Sequence, residues 1–568
     1  MSKLSCMTLL VLAAGMASAK TSIDLKRPAT TDSTVRVIVQ YATRPQESHF
    51  RKVTDRQGRL HRKYDHISMA AYDVTESGLA ALENDPDVTS ISPDREVRGM
   101  LEHTGASVNL IPIHNYYNSI GRGKADGIGI AIIDSGIDQA HPNFKSYLSS
   151  KNRIVYNQSF VDSTPSDLYG HGTHVAGILA GTDNVTSSLP SKLAYYWGMV
   201  PDAYLINLKV LDANGIGSDS AVIAAIDRAI ALKSTYNIRV INLSLGRPVV
   251  GSYKTDPLCI AVEKAWKAGI VVVVAAGNSG RVTTGNISGY GTITSPGNDP
   301  YVITVGAANT RQDLDPNNDI MTSYSSKGPT AIDHVVKPDL VAPGNLIVSY
   351  QAAGATLVTG HPANRIPTSS YDPAGGTTAS PYYYVLSGTS MAAPVVSGAA
   401  AFLIDKNSSI TPDQVKAKLM LTARKSFPTN MTITDTVTNQ TYSMTNDVFT
   451  VGAGMVDFWA AYNDTSLPTG TAASPSAYFD TASNTVKLSL NSTSATSVIW
   501  GTGSSLYGTS VIWGTTVTGN SIIWGTGIIW GTSTVSGFGI IWGTNPSAIV
   551  NAASTPTESL AVLFNGEK

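Results

Sequence analysis

The chain has 568 residues, room for about three or four domains at ~150 residues each. Lys+Arg 40 against Asp+Glu 41 leaves a formal net charge of -1, which argues against a nucleic-acid partner. The hydrophobic content of 42% fits a globular protein, and two cysteines, Cys6 and Cys259, are too few for a disulfide framework.

Residues 1–19 read as a secretory signal peptide. Lys3 supplies a positive start, residues 4–16 a short apolar core, and Ala17-Ser18-Ala19 an A-x-A cleavage site. That core is too short to span a bilayer, and no other stretch is long and apolar enough. A secreted, extracellular protein without a membrane span is therefore expected, its mature form keeping only the Cys259 thiol. Residues 20–34 are assigned to a linker.

Between Val35 and Met100, ten Lys/Arg and ten Asp/Glu crowd 66 residues, a composition unlike anything downstream. Residues 35–41 alternate like a half-buried strand. Residues 67–74 and 88–91 also read as strands, 76–85 as a helix, and the charged stretch at about 47–63 as room for a second helix. Strands interleaved with two helices predict a small α+β domain over 35–101.

Downstream, apolar runs at 128–134, 205–211, 240–245, 271–276 and 301–307 alternate with helix-like stretches beginning near 171, 218 and 256. Nearly continuous apolar strands separated by helices predict an α/β fold, a parallel sheet with helices on both faces. Sites in such sheets lie at the carboxyl ends of the strands. Asp134 ends one strand, and Asn278 follows the end of another.

Gly388-Thr389-Ser390-Met391-Ala392-Ala393-Pro394 reads as a tight turn that throws a serine onto the first turn of a helix. Gly388 permits the bend, and Thr389 and Ser390 suit a helix start. Pro394 lies close enough to that start to be tolerated. The following Val395, Val396, Ala399, Ala400, Ala401, Phe402 and Leu403 make the helix apolar on every face, hence buried. A hydroxyl there lies near free backbone N–H groups and the positive end of the helix dipole. A developing oxyanion would be stabilised at that place. A small-residue packing turn is the alternative for this stretch alone. Thr411-Pro412-Asp413-Gln414 is a capping box that starts a further helix ending near Lys425.

Two more strings complete a constellation: Ile130-Ala131-Ile132-Ile133-Asp134-Ser135-Gly136-Ile137, and Gly170-His171-Gly172-Thr173-His174-Val175-Ala176-Gly177. Together with the Ser390 string, in the order Asp, His, Ser, they resemble the motifs of subtilisin-like serine peptidases (subtilases). The likeness extends over about residues 107–462. It implies a secreted serine endopeptidase hydrolysing peptide bonds in proteins and made as a self-processed zymogen. Ser390 would be the nucleophile and His171 its base, an imidazole being able to change charge near neutral pH. Asp134 would hold the imidazole tautomer. Asn278, in Ala275-Ala276-Gly277-Asn278-Ser279-Gly280, would be the side-chain oxyanion donor beside the Ser390 N–H.

By the same resemblance Leu211, Gly215 and Gly217 lie on a strand that pairs with the substrate backbone, the glycines permitting close approach. Ala275 and Gly277 would form a wall of the S1 pocket, with Thr294-Ser295-Pro296 opposite. No acidic residue lies in either wall, so a broad, apolar-leaning side-chain preference is expected. The 35–101 domain would be the inhibitory pro-domain, cut near 100–104, and the catalytic domain would span 107–465. No cofactor is required for the chemistry and no metal is assigned. His174 follows His171 by three residues with no Glu between them, unlike a zincin. A structural calcium is allowed but not indicated, because Asn143 stands where many relatives carry a calcium-binding Asp. Residues 351–381, polar and rich in Pro, Gly, Ser and Thr, form an insertion before the Ser390 motif, either a surface loop near the cleft rim or a disordered linker.

Residues 466–497 read as a Ser/Thr-rich linker. From Thr481 to Val550 the only charge is Lys487, yet Trp500, Trp513, Trp524, Trp530 and Trp542 are each followed by Gly-Thr. The glycines at 501, 508, 514, 519, 525, 531, 537 and 543 step by close to six residues. That period over 498–545 suggests a β-rich tail of short strands stacked in a solenoid, with 546–568 as a cap or tail. A flexible linker, or a surface that binds a cell-surface polymer through its Trp faces, are the rivals. The rival function is a non-catalytic or weakly catalytic surface adhesin.

Overall fold

The structure, a computed structural model, describes residues 20–567 except 23–24, 26, 29–32, 95, 100–105, 121–122, 147–150, 183, 188–195, 282–288, 313–314, 373, 436–438, 469, 481–484, 490–521, 525–539 and 543–561. The expected signal peptide at 1–19, the expected cleavage region at 100–104 and most of the repeats lie outside the described residues. The chain divides into two compact units, Met1–His61 with Ser68–Pro93, and Arg62–Ile67 with Asp94–Lys568.

The smaller unit is α+β. Val35–Tyr41 runs antiparallel to both Met69–Val74 and Val88–Pro93, and Arg59–Lys63 extends the sheet beyond Met69–Val74. The alternation read in the sequence turns Val37, Val39 and Tyr41 inward, where they meet Phe50 and Val53 of the helix Glu47–Thr54 and Leu79 and Leu82 of Glu76–Glu83. Thr75 caps the second helix by accepting from the Gly78 N–H. The charged stretch at 47–63 is only half helical. The helix ends at Thr54, the chain turns through Gln57 at φ +61 and Gly58, and the remainder becomes the strand Arg59–Lys63.

The larger unit is built on an eight-stranded sheet. Its order is Ile320–Met321, Ile303–Asn309, Val271–Ala275, Ile238–Leu243, Gly129–Asp134, Tyr204–Lys209 and Ile154–Ser159, with Leu340–Pro343 also on Ile303–Asn309. All pairs are parallel except the one to Ile320–Met321. Gly129–Asp134 and Val271–Ala275 are buried along their whole length, as continuous apolar runs in a covered parallel sheet must be. Strand order reverses between Gly129–Asp134 and Ile238–Leu243, so their carboxyl ends open a crevice there. One pair of helices, His171–Ala180 and Thr389–Lys406, packs together and on the sheet; a second pair, Asp219–Tyr236 and Pro257–Lys267, does the same. The Thr411 capping box forms as read, starting a helix that ends at Thr422. The 351–381 insertion holds the short helix Thr356–Gly360 and the strand Arg365–Pro367, which pairs with Ala379–Leu386.

The unit does not end at 465. Ser474 is buried and donates to Asp339, whose carboxylate also meets the ammonium groups of Lys337 and Lys416, all three side chains being fully buried. Burial of charge on this scale requires such mutual pairing. An antiparallel hairpin, Ser476–Asp480 with Thr485–Ser489, follows within the stretch assigned to a linker. In the repeats, Ile522–Trp524 pairs with Ile540–Trp542 in parallel, residue for residue, 18 positions apart. Finally, residues 562–567 form one helical turn followed by Gly566 at φ +56, and Val562, Leu563, Phe564 and Glu567 are buried in the larger unit.

Candidate active site

Asp134 closes its strand with its side chain sealed from solvent. Its Oδ1 accepts from His171 Nδ1 at 2.6 Å and from the Ser135 N–H at 2.7 Å, while Oδ2 is buried without a hydrogen-bond partner. His171 opens a ten-residue helix that is buried throughout. That helix approaches the strand end so closely that a Cβ on Gly172 would stand 2.2 Å from the Gly136 carbonyl oxygen. Glycine is required there by contact.

Asp167, which the sequence reading passed over, joins the two elements. Its Oδ1 accepts from Ser135 Oγ at 2.8 Å and from the Gly170 N–H at 2.7 Å, and its Oδ2 from the Thr173 N–H at 2.8 Å. Ser135 Oγ accepts in turn from the Gly172 N–H at 2.8 Å. A carboxylate at a helix N-terminus satisfies free N–H groups and complements the dipole. Burial pushes its pKa up while these donors oppose the shift. An acidic residue four positions before the helix start was the available signal.

Ser390 is the second residue of the helix Thr389–Lys406 and is fully buried. Pro394 lacks the N–H that would have bonded the carbonyl four residues earlier, which is that of Ser390. Ser244 Oγ fills the vacancy, donating to the Ser390 carbonyl at 2.6 Å. Ser390 Oγ donates back to the Ser244 carbonyl at 3.0 Å. Ser244 is itself held by Asn242 Nδ2 at 2.9 Å, and Asn242 Oδ1 accepts from Ser397 of the same helix at 2.9 Å.

Asn278 Oδ1 accepts from the Thr389 N–H at 2.9 Å and from Thr389 Oγ1 at 3.0 Å, so the amide is fixed with Nδ2 on the other side. Nδ2 is buried and has no partner. A buried donor left unpaired costs about 1–3 kcal/mol, so this group stands ready for an acceptor. Leu245, Gly246, Ala275, Gly277, Thr294, Thr389 and Ser390 line one pocket. Ala275 and Gly277 thus lie beside Ser390, and no lining residue is acidic.

Leu211 is fully buried, and Gly215 and Gly217 flank Ile216 at the turn into the short strand Ile216–Ser218. A Cβ on Gly217 would come within 2.2 Å of the Val210 carbonyl oxygen, so the close backbone approach expected there includes the chain's own fold-back. Glu96–Gly99 runs as the central strand between Ile216–Ser218 and Leu245–Gly246, antiparallel to both. The backbone of 96–99 therefore occupies the strand position that ends at the pocket.

His174 is buried with Nε2 on the Tyr384 carbonyl at 3.1 Å, and burial pushes its pKa down to about 3. Asn143 is fully buried, its Nδ2 donating to the Tyr383 hydroxyl at 3.2 Å and its Oδ1 accepting from the Val185 N–H at 2.8 Å. Among the described residues no group of three His, Cys, Asp or Glu side chains could hold a metal ion. No helix of the described residues is long and apolar enough to cross a membrane.

Residues 125–454 match the model of the subtilase family. Serine protease AprX of Bacillus subtilis is 32% identical over 372 residues, 64% of this chain and 76% of that protein. Subtilisin E of Bacillus subtilis is 31% identical over 65% of this chain and 79% of its own length. Subtilisin DY of Bacillus licheniformis is 34% identical over 53% and 85%.

Proposed function

Because the chain belongs to the subtilase family and is a serine-type endopeptidase, we propose that it cleaves protein substrates with Asp134, His171 and Ser390 as its catalytic triad. The observation that carries this reading is the buried 2.6 Å bond between His171 Nδ1 and Asp134. With Nδ1–H donated to Asp134, Nε2 keeps its lone pair for the hydroxyl proton of Ser390. Ser390 Oγ leaves the Ser244 carbonyl, attacks the scissile carbonyl carbon, and passes its proton to His171. The oxyanion that forms takes hydrogen bonds from the Ser390 N–H and Asn278 Nδ2. His171 then protonates the leaving amine, and a water molecule activated by the same imidazole hydrolyses the acyl-enzyme. No cofactor takes part.

The chain is made as a zymogen whose residues 35–101 inhibit it, because the 96–99 strand already holds the place a substrate backbone would take. Cleavage after this strand, at 100–104, leaves the pro-segment as a product bound to the cleft. The pocket, lined by small and apolar residues, selects an apolar side chain. Residues 1–19 direct secretion. The parallel pair Ile522–Trp524 and Ile540–Trp542, 18 positions or three glycine steps apart, supports a tail of stacked short strands that could bind a cell-surface polymer. The alternative of a non-catalytic adhesin finds no support among the relatives. Casein hydrolysis by the purified protein, with Ser390→Ala as control, tests the reading. Hydrolysis that persists in the variant would sink it.

A further inference from the structure

Residues 562–567 make contacts that a passive tail has no need of. The Glu567 side chain is 1% exposed, and its Oε1 accepts from Arg281 Nη2 at 3.0 Å, the Ser323 N–H at 2.9 Å and the Ser323 hydroxyl. Its backbone is pinned as well. The Glu567 N–H donates to Asn345 Oδ1 at 2.8 Å, and its carbonyl accepts from Asn345 Nδ2 at 2.6 Å and Asn309 Nδ2 at 3.3 Å. Four residues earlier, the Leu563 carbonyl accepts from the Ser387 N–H at 2.8 Å.

Two of these partners, Arg281 and Ser387, lie on the segments that carry Asn278 and Ser390. Arg281 is three residues after Asn278. The 277–281 loop is fastened to 323–326 by four bonds: Gly280 N–H to the Tyr324 carbonyl at 2.8 Å, Ser326 N–H to the Gly277 carbonyl at 2.9 Å, Ser279 N–H to Ser326 Oγ at 3.0 Å, and Arg281 Nε to Ser323 Oγ at 2.8 Å. Glu567 binds both sides of that seam. Ser387 is three residues before Ser390, and the Gly388 N–H donates to the carbonyl of Gly344, the neighbour of Asn345. One short segment thus ties together the ends of both loops.

We propose that residues 562–567 are a clamp on the oxyanion site, with Glu567 as a positioning residue that sets Asn278 against Ser390. The proposal rests on the triad reading above. A buried charge holding two loops loses its geometry when one partner is removed, and hydrogen-bond donors to an oxyanion act only at the right distance. Glu567 touches no substrate, so its effect must pass through Asn278.

A double-mutant cycle in the full chain tests this. Glu567→Gln is measured alone and in an Asn278→Ala background on a small chromogenic peptide, with active sites counted by a serine-directed irreversible inhibitor. Glu567→Gln alone is expected to lower kcat per site by about tenfold with KM within about twofold, and to add little once Asn278 is gone. An equal loss of kcat in both backgrounds, or no loss per site in either, overturns the proposal. Should Glu567→Gln not fold, Ser323→Ala keeps the Arg281–Glu567 pair while removing the hydroxyl shared by Glu567 and Arg281 Nε, and is read in the same cycle, with a smaller loss and the same non-additivity expected. Ser390→Ala is run beside them: full activity there would mark failure of the triad reading, separate from failure of the clamp.

Discussion

Ser244 and Ser390 exchange two hydrogen bonds, hydroxyl to carbonyl in each direction, at 2.6 and 3.0 Å. The first answers the N–H that Pro394 removes from the helix; the second holds the hydroxyl of Ser390. Ser244→Ala would leave a buried carbonyl unpaired, at a cost of about 1–3 kcal/mol. Chemical unfolding of inhibitor-blocked enzyme should show that loss, together with a lower kcat. An unchanged unfolding midpoint would mean that the carbonyl finds another donor.

Ser390→Ala should abolish hydrolysis and leave the precursor uncut between the 96–99 strand and the catalytic unit. The expectation follows from a single site performing both reactions. Mass spectrometry of the variant, expressed where no other protease is present, checks it; a mature product would show that processing is done elsewhere.

Asn278→Ala removes an amide whose Nδ2 is buried without a hydrogen-bond partner in the full chain. The expected loss is about 10²–10³ in kcat with little change in KM, the magnitude known for such a donor in subtilisin and not one calculated from this geometry. A variant whose KM rises while kcat holds would place Asn278 in ground-state binding instead.

Residues 35–101 added in trans should inhibit the processed enzyme, because 96–99 pairs with both Ile216–Ser218 and Leu245–Gly246. Inhibition should be competitive with a peptide substrate. A fragment ending at 93, without that strand, should bind far more weakly; equal inhibition by the two would locate the contact elsewhere.

Acid should destabilise the larger unit through its buried histidines. Burial pushes His141 down to about 4 and His174 to about 3 from an ordinary value near 6.5. A folded pKa below the unfolded one means that the folded state binds fewer protons, so stability rises with pH between about 4 and 6.5 and is level above. Going from pH 7 to 5 costs on the order of 2 kcal/mol per histidine. Unfolding of the Ser390→Ala variant at the two pH values measures the total. His141→Gln should flatten the slope, and an unaltered slope would remove His141, stacked on Tyr350, from the account.

The parallel sheet was legible because covered strands are nearly continuously apolar, as the 128–133 and 271–276 runs are and as 205–211 and 240–245 are apart from Asn207, Lys209, Asn242 and Ser244. Asp134, His171, Ser390 and Asn278 could be proposed from sequence because each sits inside a short contiguous string, and Ala275 and Gly277 do line a pocket with Ser390. The Thr411 capping box is equally local. The sequence reading gave no account of Asp167 or Ser244: each acts on an element distant in the chain, and a buried Asp or Ser leaves no periodic trace.

The least legible part was the end of the chain. Composition alone made 466–497 a linker and 546–568 a cap or tail, and gave no sign that Ser474 and Glu567 are held inside the larger unit by Asp339, Arg281 and Ser323. What the sequence determined by itself was local: strands, helix starts, the order Asp134, His171, Ser390, and the residue types that chemistry at each place requires. What only the tertiary structure decided was which buried polar groups meet. A carboxylate such as Glu567 can be desolvated only where partners already converge, and that convergence, 286 residues away at Arg281, is a property of the fold and not of any stretch of sequence.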